Sequence, residues 1–91
     1  MDSDVTTPVP TKKIVPSYPL AAKKQGIEGL VIMQALISEK GDVLVVKPLK
    51  GDEMLVSAAK DAVMQWKFTP ASKKGVRVKI WYTITIPFKI K

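Results

Sequence analysis

Across residues 76–90 apolar and polar positions alternate: Val76, Val78, Ile80, Tyr82, Ile84, Ile86, Phe88 and Ile90 are apolar, and Arg77, Lys79, Thr83, Thr85 and Lys89 stand between them. A period of two over so many residues predicts a β-strand with one buried face. At about 3.3 Å per residue such a strand would run for roughly 50 Å. A compact domain of this length has a radius of gyration near 12 Å and so spans only about 30 Å. The strand is therefore expected to overhang, to bend, or to pair outside its own domain, with residues 85 onward as the excess. Pro87 brings no N–H to a ladder, so the strand around it is expected to be a sheet edge or to stop being paired there. A long edge that is apolar on one face is an aggregation hazard or a docking site.

The upstream patterns supply partners for that strand. Leu30 through Ile37 is apolar on both alternating faces, as in a strand inside a sheet. The turn Glu39-Lys40-Gly41-Asp42 leads into a second β-branched run, residues 43–49, and the two runs read as a hairpin. Pro48 near its end requires that the second run be an edge there or have already left the sheet. Gly51 breaks the chain and Asp52 caps a helix, in which Leu55, Ala58, Ala59, Ala62, Val63 and Trp66 recur at helical spacing until Thr69 and Pro70. Small residues with one large anchor suit close packing of a helix on a sheet, and Trp66 is read as that anchor. Ser17 is placed to cap, and Gly26 to close, a two-turn helix over residues 18–25. That short helix is expected to cover Trp81, which interrupts the otherwise polar face of the last strand; a contact with a partner is the alternative role for Trp81. Residues 72–75 form a basic turn.

The element order is short helix, strand, strand, helix, long strand. Up the first strand, down the second and back along the helix, the last strand lies antiparallel to the first. That arrangement buries the first strand centrally and needs no parallel crossover. The expected fold is α+β, a three-stranded antiparallel sheet in the order second, first, last, with the short helix and the main helix packed on it. Residues 1–15, with Pro8 and Pro10 and no periodicity, read as a flexible linker remnant, and residues 16–91 as the domain.

Composition narrows the function. With no His and no Cys in 91 residues, the usual general base, thiolate nucleophile and most transition-metal ligands are missing. Asp52 and Glu53 are neighbours that suit a helix's first turn better than a paired-carboxylate site. Gly26 and Gly29 precede a strand and open no helix, so they make no phosphate loop. Neither catalysis, metal nor cofactor is expected. The net charge of +7 comes from 14 Lys and one Arg, which suits a solvated surface and argues against base-specific reading of nucleic acid, where Arg provides the bidentate contacts. No apolar run is long enough to cross a bilayer, and Asp2, Ser3 and Asp4 do not begin a signal peptide.

Tyr18-Pro19 followed by Ala22, Glu28-Gly29 before an apolar strand, Gly41-Asp42-Val43, Ala58-Ala59 and Ala62-Val63, Trp66-Lys67-Phe68 with Pro70-Ala71, Gly75-Val76, and the closing Pro87-Phe88 form an ordered set over residues 16–90. The set resembles the C-terminal domain of TonB-family energy transducers. That resemblance implies a periplasmic, non-catalytic binding domain. Full-length relatives carry an inner-membrane anchor and a Pro-rich spacer, of which this chain would keep at most the end. It implies that the TonB box of TonB-dependent outer-membrane receptors adds as a strand to the last strand, along Val76, Arg77, Val78, Lys79, Ile80, Trp81, Tyr82 and Thr83. A second contact is implied just before the Tyr-Pro pair, at Val15, Pro16 and Ser17; Val15 stands where the family often has a Gln, so a side-chain hydrogen bond is not expected there. Inner-membrane proton-motive partners of the full-length protein would supply the pull for active uptake, and two-fold pairing of last strands would give a homodimer. The alternative is a basic self-associating or nucleic-acid-binding domain without a transport role, with Trp81 and Tyr82 as stacking residues; no nucleic acid is the expectation.

Overall fold

The computed structural model describes residues 5–90. Two short strands come first, β1 (Val5–Thr6) and β2 (Pro10–Lys12), then helix α1 (Leu20–Lys24), strands β3 (Gly29–Ile37) and β4 (Val43–Lys50), and helix α2 (Glu53–Val63). Strands β5 (Lys67–Phe68), β6 (Ala71–Lys73), β7 (Val76–Val78) and β8 (Ile80–Phe88) complete the chain. β3 pairs antiparallel with β4 on one side and β8 on the other, so the main sheet has the expected order second, first, last.

Burial follows the alternation. Val31, Met33, Ala35 and Ile37 of β3 are fully buried, and they meet Leu55, Ala59 and Val63 of α2, Ala22 of α1, and Ile84, Ile86 and Phe88 of β8. Each large side chain so buried contributes about 1.5–3 kcal/mol relative to exposure. The small residues of α2 let the helix axis approach the sheet, as the sequence indicated. Asp52 caps it, its carboxylate accepting the Met54 N–H at 2.9 Å. The helix ends at Val63, earlier than the apolar spacing suggested. Trp66 comes after a turn in which its N–H donates to the Val63 carbonyl at 3.0 Å, and it still reaches the core.

Several expectations are corrected. The first helix is one turn shorter than its pattern, and Ser17 does not cap it: Pro19 occupies the N-cap with no side-chain hydrogen bond. Gly26, at φ 69°, does close it. This helix lies on the same side of the sheet as α2, with Tyr18 edge-on to Phe88 at 5.4 Å, so it does not cover Trp81, which stays 47% exposed. β3 carries its apolar residues on two faces, but only one is buried; Leu30 is exposed and Ile32 and Leu36 are half-buried.

The single long strand is divided at Lys79. β3 ends opposite Ile80 and turns away, so the chain beyond that point has no partner in the main sheet. It pairs instead with β6 in a hairpin whose two-residue loop, Lys74 (φ 53°) and Gly75 (φ 80°), has the doubly positive φ of a primed turn. The excess length expected to project from residue 85 onward is spent within the sheet, in a register running unbroken from Gly29 opposite Phe88 to Ile37 opposite Ile80. The molecule is correspondingly elongated, 49 × 24 × 20 Å with a radius of gyration of 14.7 Å, rather than the compact body assumed from its length.

Of the stretch read as a flexible linker remnant, residues 1–4 lie outside the described residues, and residues 5–12 are extended and paired: β1 lies antiparallel to β6 and β2 to β5. Between Pro8 and Pro10, which have no N–H, the Val9 N–H donates to Thr69 Oγ1 at 2.9 Å and the Val9 carbonyl accepts the Thr69 N–H at 2.8 Å. The β3–β4 turn is fixed in the same economical way. Ser38 Oγ accepts the N–H groups of Lys40 and Asp42, and the Gly41 carbonyl accepts the Phe68 N–H at 2.9 Å. Asp42 then pairs with Lys67 at 2.6 Å, and that hydrogen bond and the ammonium charge hold its carboxyl below the usual carboxylate range.

Gly41 and Gly26 both have positive φ, but only Gly41 is crowded: a Cβ there would sit 2.0 Å from the Phe68 carbonyl oxygen, whereas nothing lies within 4 Å of one at Gly26. Gly41→Ala is expected to cost at least about 3 kcal/mol, because backbone must move and a turn hydrogen bond is lost. Gly26→Ala should cost only the left-handed penalty of about 1 kcal/mol. Urea denaturation of the two variants checks the contrast.

Candidate functional site

The main sheet has two edges, and they differ. β4 carries Lys47, Pro48 and Lys50, all exposed, which is how sheet edges are usually blunted: charge repels and desolvates badly, and proline removes a donor. β8 reads Ile-Trp-Tyr-Thr-Ile-Thr-Ile-Pro-Phe, nine residues without a charge. Its even-numbered residues point inward, with Ile84, Ile86 and Phe88 buried, while Trp81, Thr83, Thr85 and Pro87 are exposed on the outer face. β3 satisfies one side of β8 along its whole length, and among the described residues no strand pairs with the other side. Alternate residues of an antiparallel edge strand direct both N–H and C=O outward, so β8 presents a row of unmet donors and acceptors.

Rigid packing holds this edge in place. Tyr18 sits against Phe88 at one end, and its hydroxyl donates to the Ile27 carbonyl. Partial burial, with the nearby Glu28 carboxylate, pushes the pKa of that hydroxyl above its ordinary value. Towards the other end Phe68 packs edge-on to Tyr82 at 5.2 Å, and Trp66 lies tilted against Phe68 at 6.1 Å. The Trp66 indole N–H donates to the Ile14 carbonyl at 3.0 Å, and the Lys13 ammonium lies 5.8 Å from the indole ring centroid. The segment after β2 is thereby fastened beside β8. A cleft of about 140 Å³ remains between them, lined by Pro10, Lys13, Trp66, Tyr82, Thr83, Ile84 and Thr85.

The residues expected to form one docking edge fall in two places. Ile80, Trp81, Tyr82 and Thr83 belong to β8, while Val76, Arg77 and Val78 belong to β7 and already pair with β6 on one side; Lys79 joins the two. Val15, Pro16 and Ser17 do not reach the cleft. They line a separate groove of about 200 Å³ against α2, with Ala58, Asp61, Ala62 and Gln65, and Val15 is 86% exposed. The sequence reading missed the extension of the free edge through Thr85 to Phe88 and the contributions of Pro10, Lys13 and Trp66. The alternating pattern did run that far, and a Trp on an apolar stripe still has an N–H that needs a partner; both signals were present in the sequence. Among the described residues, no group of three or more His, Asp or Glu is placed to hold a metal ion, and no helix is long and apolar enough to cross a membrane.

The family model for the Gram-negative bacterial TonB protein C-terminal matches residues 14–90. Protein TonB of Vibrio cholerae is 36% identical over 81 residues, covering 87% of this chain and 33% of that protein. Protein tonB2 of Pseudomonas aeruginosa is 32% identical over 77 residues, 82% of this chain and 28% of that protein. The chain thus spans about a third or less of the length of these relatives. The solution structure of the P. aeruginosa TonB C-terminal domain superposes with a TM-score of 0.73 at 29% identity, covering 99% of this chain and 90% of that one.

If the Trp66 indole fastens the N-terminal segment, Trp66→Phe should keep the ring packing and release that segment. A lost neutral hydrogen bond is worth about 1 kcal/mol, so amide exchange at Val9 and Thr69 is expected to quicken about fivefold. The β3 amides should change only by the smaller shift in global stability. Equal acceleration throughout would show that the indole holds the core and not the segment.

Proposed function

This chain belongs to the TonB C-terminal domain family, and on that premise we propose that it is the receptor-docking domain of a TonB-like energy transducer, which takes up the TonB box of an outer-membrane receptor as a fourth strand along β8. The observation that carries this reading is the asymmetry of the two sheet edges: lysine and proline on β4, nine uncharged residues on β8. The first edge is built to refuse a strand and the second to accept one. Work is done by binding and not by catalysis, with the full-length protein anchored in the inner membrane and this domain in the periplasm. Inner-membrane proton-motive partners provide the force, and outer-membrane uptake is its result.

Strand addition suits that task physically. An added strand is held by several backbone hydrogen bonds loaded together in shear, and each contributes about 0.5–1.5 kcal/mol net. The joint therefore resists pulling along its length although no single bond is strong. The receptor's inward-pointing side chains would enter the cleft beside Trp66 and Tyr82, and its outward ones would lie beside Trp81 and Thr83. The groove at Val15, Pro16 and Ser17 serves as the second contact, reached by shape alone, since Val15 offers no side-chain hydrogen bond. In the absence of a receptor, the same uncharged edge is where two copies of the chain would pair.

A TonB-box peptide titrated into labelled protein is expected to shift backbone amides of β8 from Ile80 to Phe88, while those of β4 stay in place. N-methylation of the peptide at alternate residues should abolish the effect in one register and spare it in the other. Absence of any β8 perturbation, or equal shifts on β4, would refute strand addition at this edge.

A further inference from the structure

Both helices pack on one face of the main sheet: Ala22 of α1 and Leu55, Ala59 and Val63 of α2 share the core with the inward residues of β3. The opposite face carries no helix among the described residues. It carries Leu30, Leu44, Val45 and Trp81 at 44–54% exposure, with Ile32 and Leu36 half-buried among them. A bulge concentrates this apolar surface. Leu36 pairs with Val45 and Ile37 with Val43, so Leu44 is the extra residue and stands exposed beside Val45 instead of alternating to the core. The result is an apolar row across all three strands, Val45 beside Leu36 beside Trp81.

Positive charge borders that row. Lys47 lies in the next cross-strand rank, beside Gln34 and Thr83, and Lys50 is in register with Ile32 and Thr85 beyond it. At the other end Lys40 and Lys79 line one depression together with Leu44. Of the two carboxylates in that depression, Glu39 and Asp42, the second is neutralised by Lys67 at 2.6 Å. We propose that this outer face is a docking surface for an anionic phospholipid bilayer, with Trp81, Leu44 and Val45 entering the headgroup boundary and the lysines meeting phosphates. Trp and Leu flanked by Lys are the residue types that settle in that boundary, where an indole has an apolar body and a polar tip. The chain's net charge of +7 complements such a surface. A second copy stacked on the same face would bring the Lys47 and Lys50 ranks of both chains together, so like charge disfavours it.

The proposal does not rest on strand addition at β8, and its test uses the 91-residue chain with no receptor peptide present. Sedimentation with vesicles of phosphatidylethanolamine and phosphatidylglycerol should carry the protein down at low salt, and pure phosphatidylcholine vesicles should not. Lipids brominated near the headgroup should quench Trp81 and leave the buried Trp66 bright. Trp81→Ser with Leu44→Ser should lower partition about tenfold. Each cation near an anionic leaflet changes partition about fivefold, so Lys47→Glu with Lys50→Glu should lower it at least tenfold. Lys23→Glu with Lys24→Glu, on the helix that packs on the inner face, makes the same change in net charge and should weaken binding far less. A proton–nitrogen correlation spectrum confirms that each variant is folded. The idea is overturned by no sedimentation at low salt, by equal losses from the two lysine pairs, or by partition that ignores Trp81 and Leu44. Protection of this face by a receptor fragment without any vesicle binding would assign it to a protein and also overturn it.

Discussion

Three paired strands have six hydrogen-bonding sides, and two pairings satisfy only four of them. The rest of this structure depends on how the remaining two are treated, because an unpaired backbone polar group must find water, a side chain or another strand. On β4 the side is surrendered to solvent and defended by Lys47, Pro48 and Lys50. On β8, among the described residues, no strand takes it up, and the strand is uncharged and held in place by the full-length pairing with β3. The domain is small enough that it cannot hide both edges.

The segments around the sheet obey the same requirement. β5 and β6 would each have exposed an empty side; residues 5–12 occupy them, with Val9 and Thr69 exchanging bonds between two prolines. Trp66 then ties the continuation of that segment to the core through its indole. What looks in composition like a tether is, in the structure, bonded to the last third of the chain.

Much of this was legible because period-two and helical patterns are local. The strands β3, β4 and β8, the cap at Asp52, the closing Gly26 and the sheet order all came from residue spacing and from where Pro48 and Pro87 stand. The misses were non-local. Nothing in residues 5–12 reveals that β5 and β6 will be waiting for them. The division at Lys79 is set by where β3 ends, and both sides of that point continue the same alternation. The pattern predicts a cover for Trp81 because it interrupts an otherwise polar face; the helices lie on the other face, where Ala22 and Tyr18 are bound into the core. For the site, a free edge on the last strand is readable but its placement is not: it runs from Ile80 to Phe88 because β3 ends opposite Ile80.

The positions of the N-terminal segment and β8 also bear on how a pull would travel under the proposed function. A load arriving through the residues before Ile14 meets the Trp66 indole, then Phe68 at 6.1 Å and Tyr82 at 5.2 Å, and so reaches β8. This path avoids α2 and the β4 edge. Tilted and edge-on ring contacts resist compression but not peeling, whereas the β3–β8 ladder, continuous from Ile80 to Phe88, resists shear. The weakest link for a load along the strands is therefore the single hydrogen bond at Ile14 together with the short pairings of β1 and β2. A steady pull would strip the N-terminal segment before it disturbed the sheet. Strand β8, and any strand added to it, would remain intact while the segment lengthened, so under such a load the domain gives way first at the end where the load arrives.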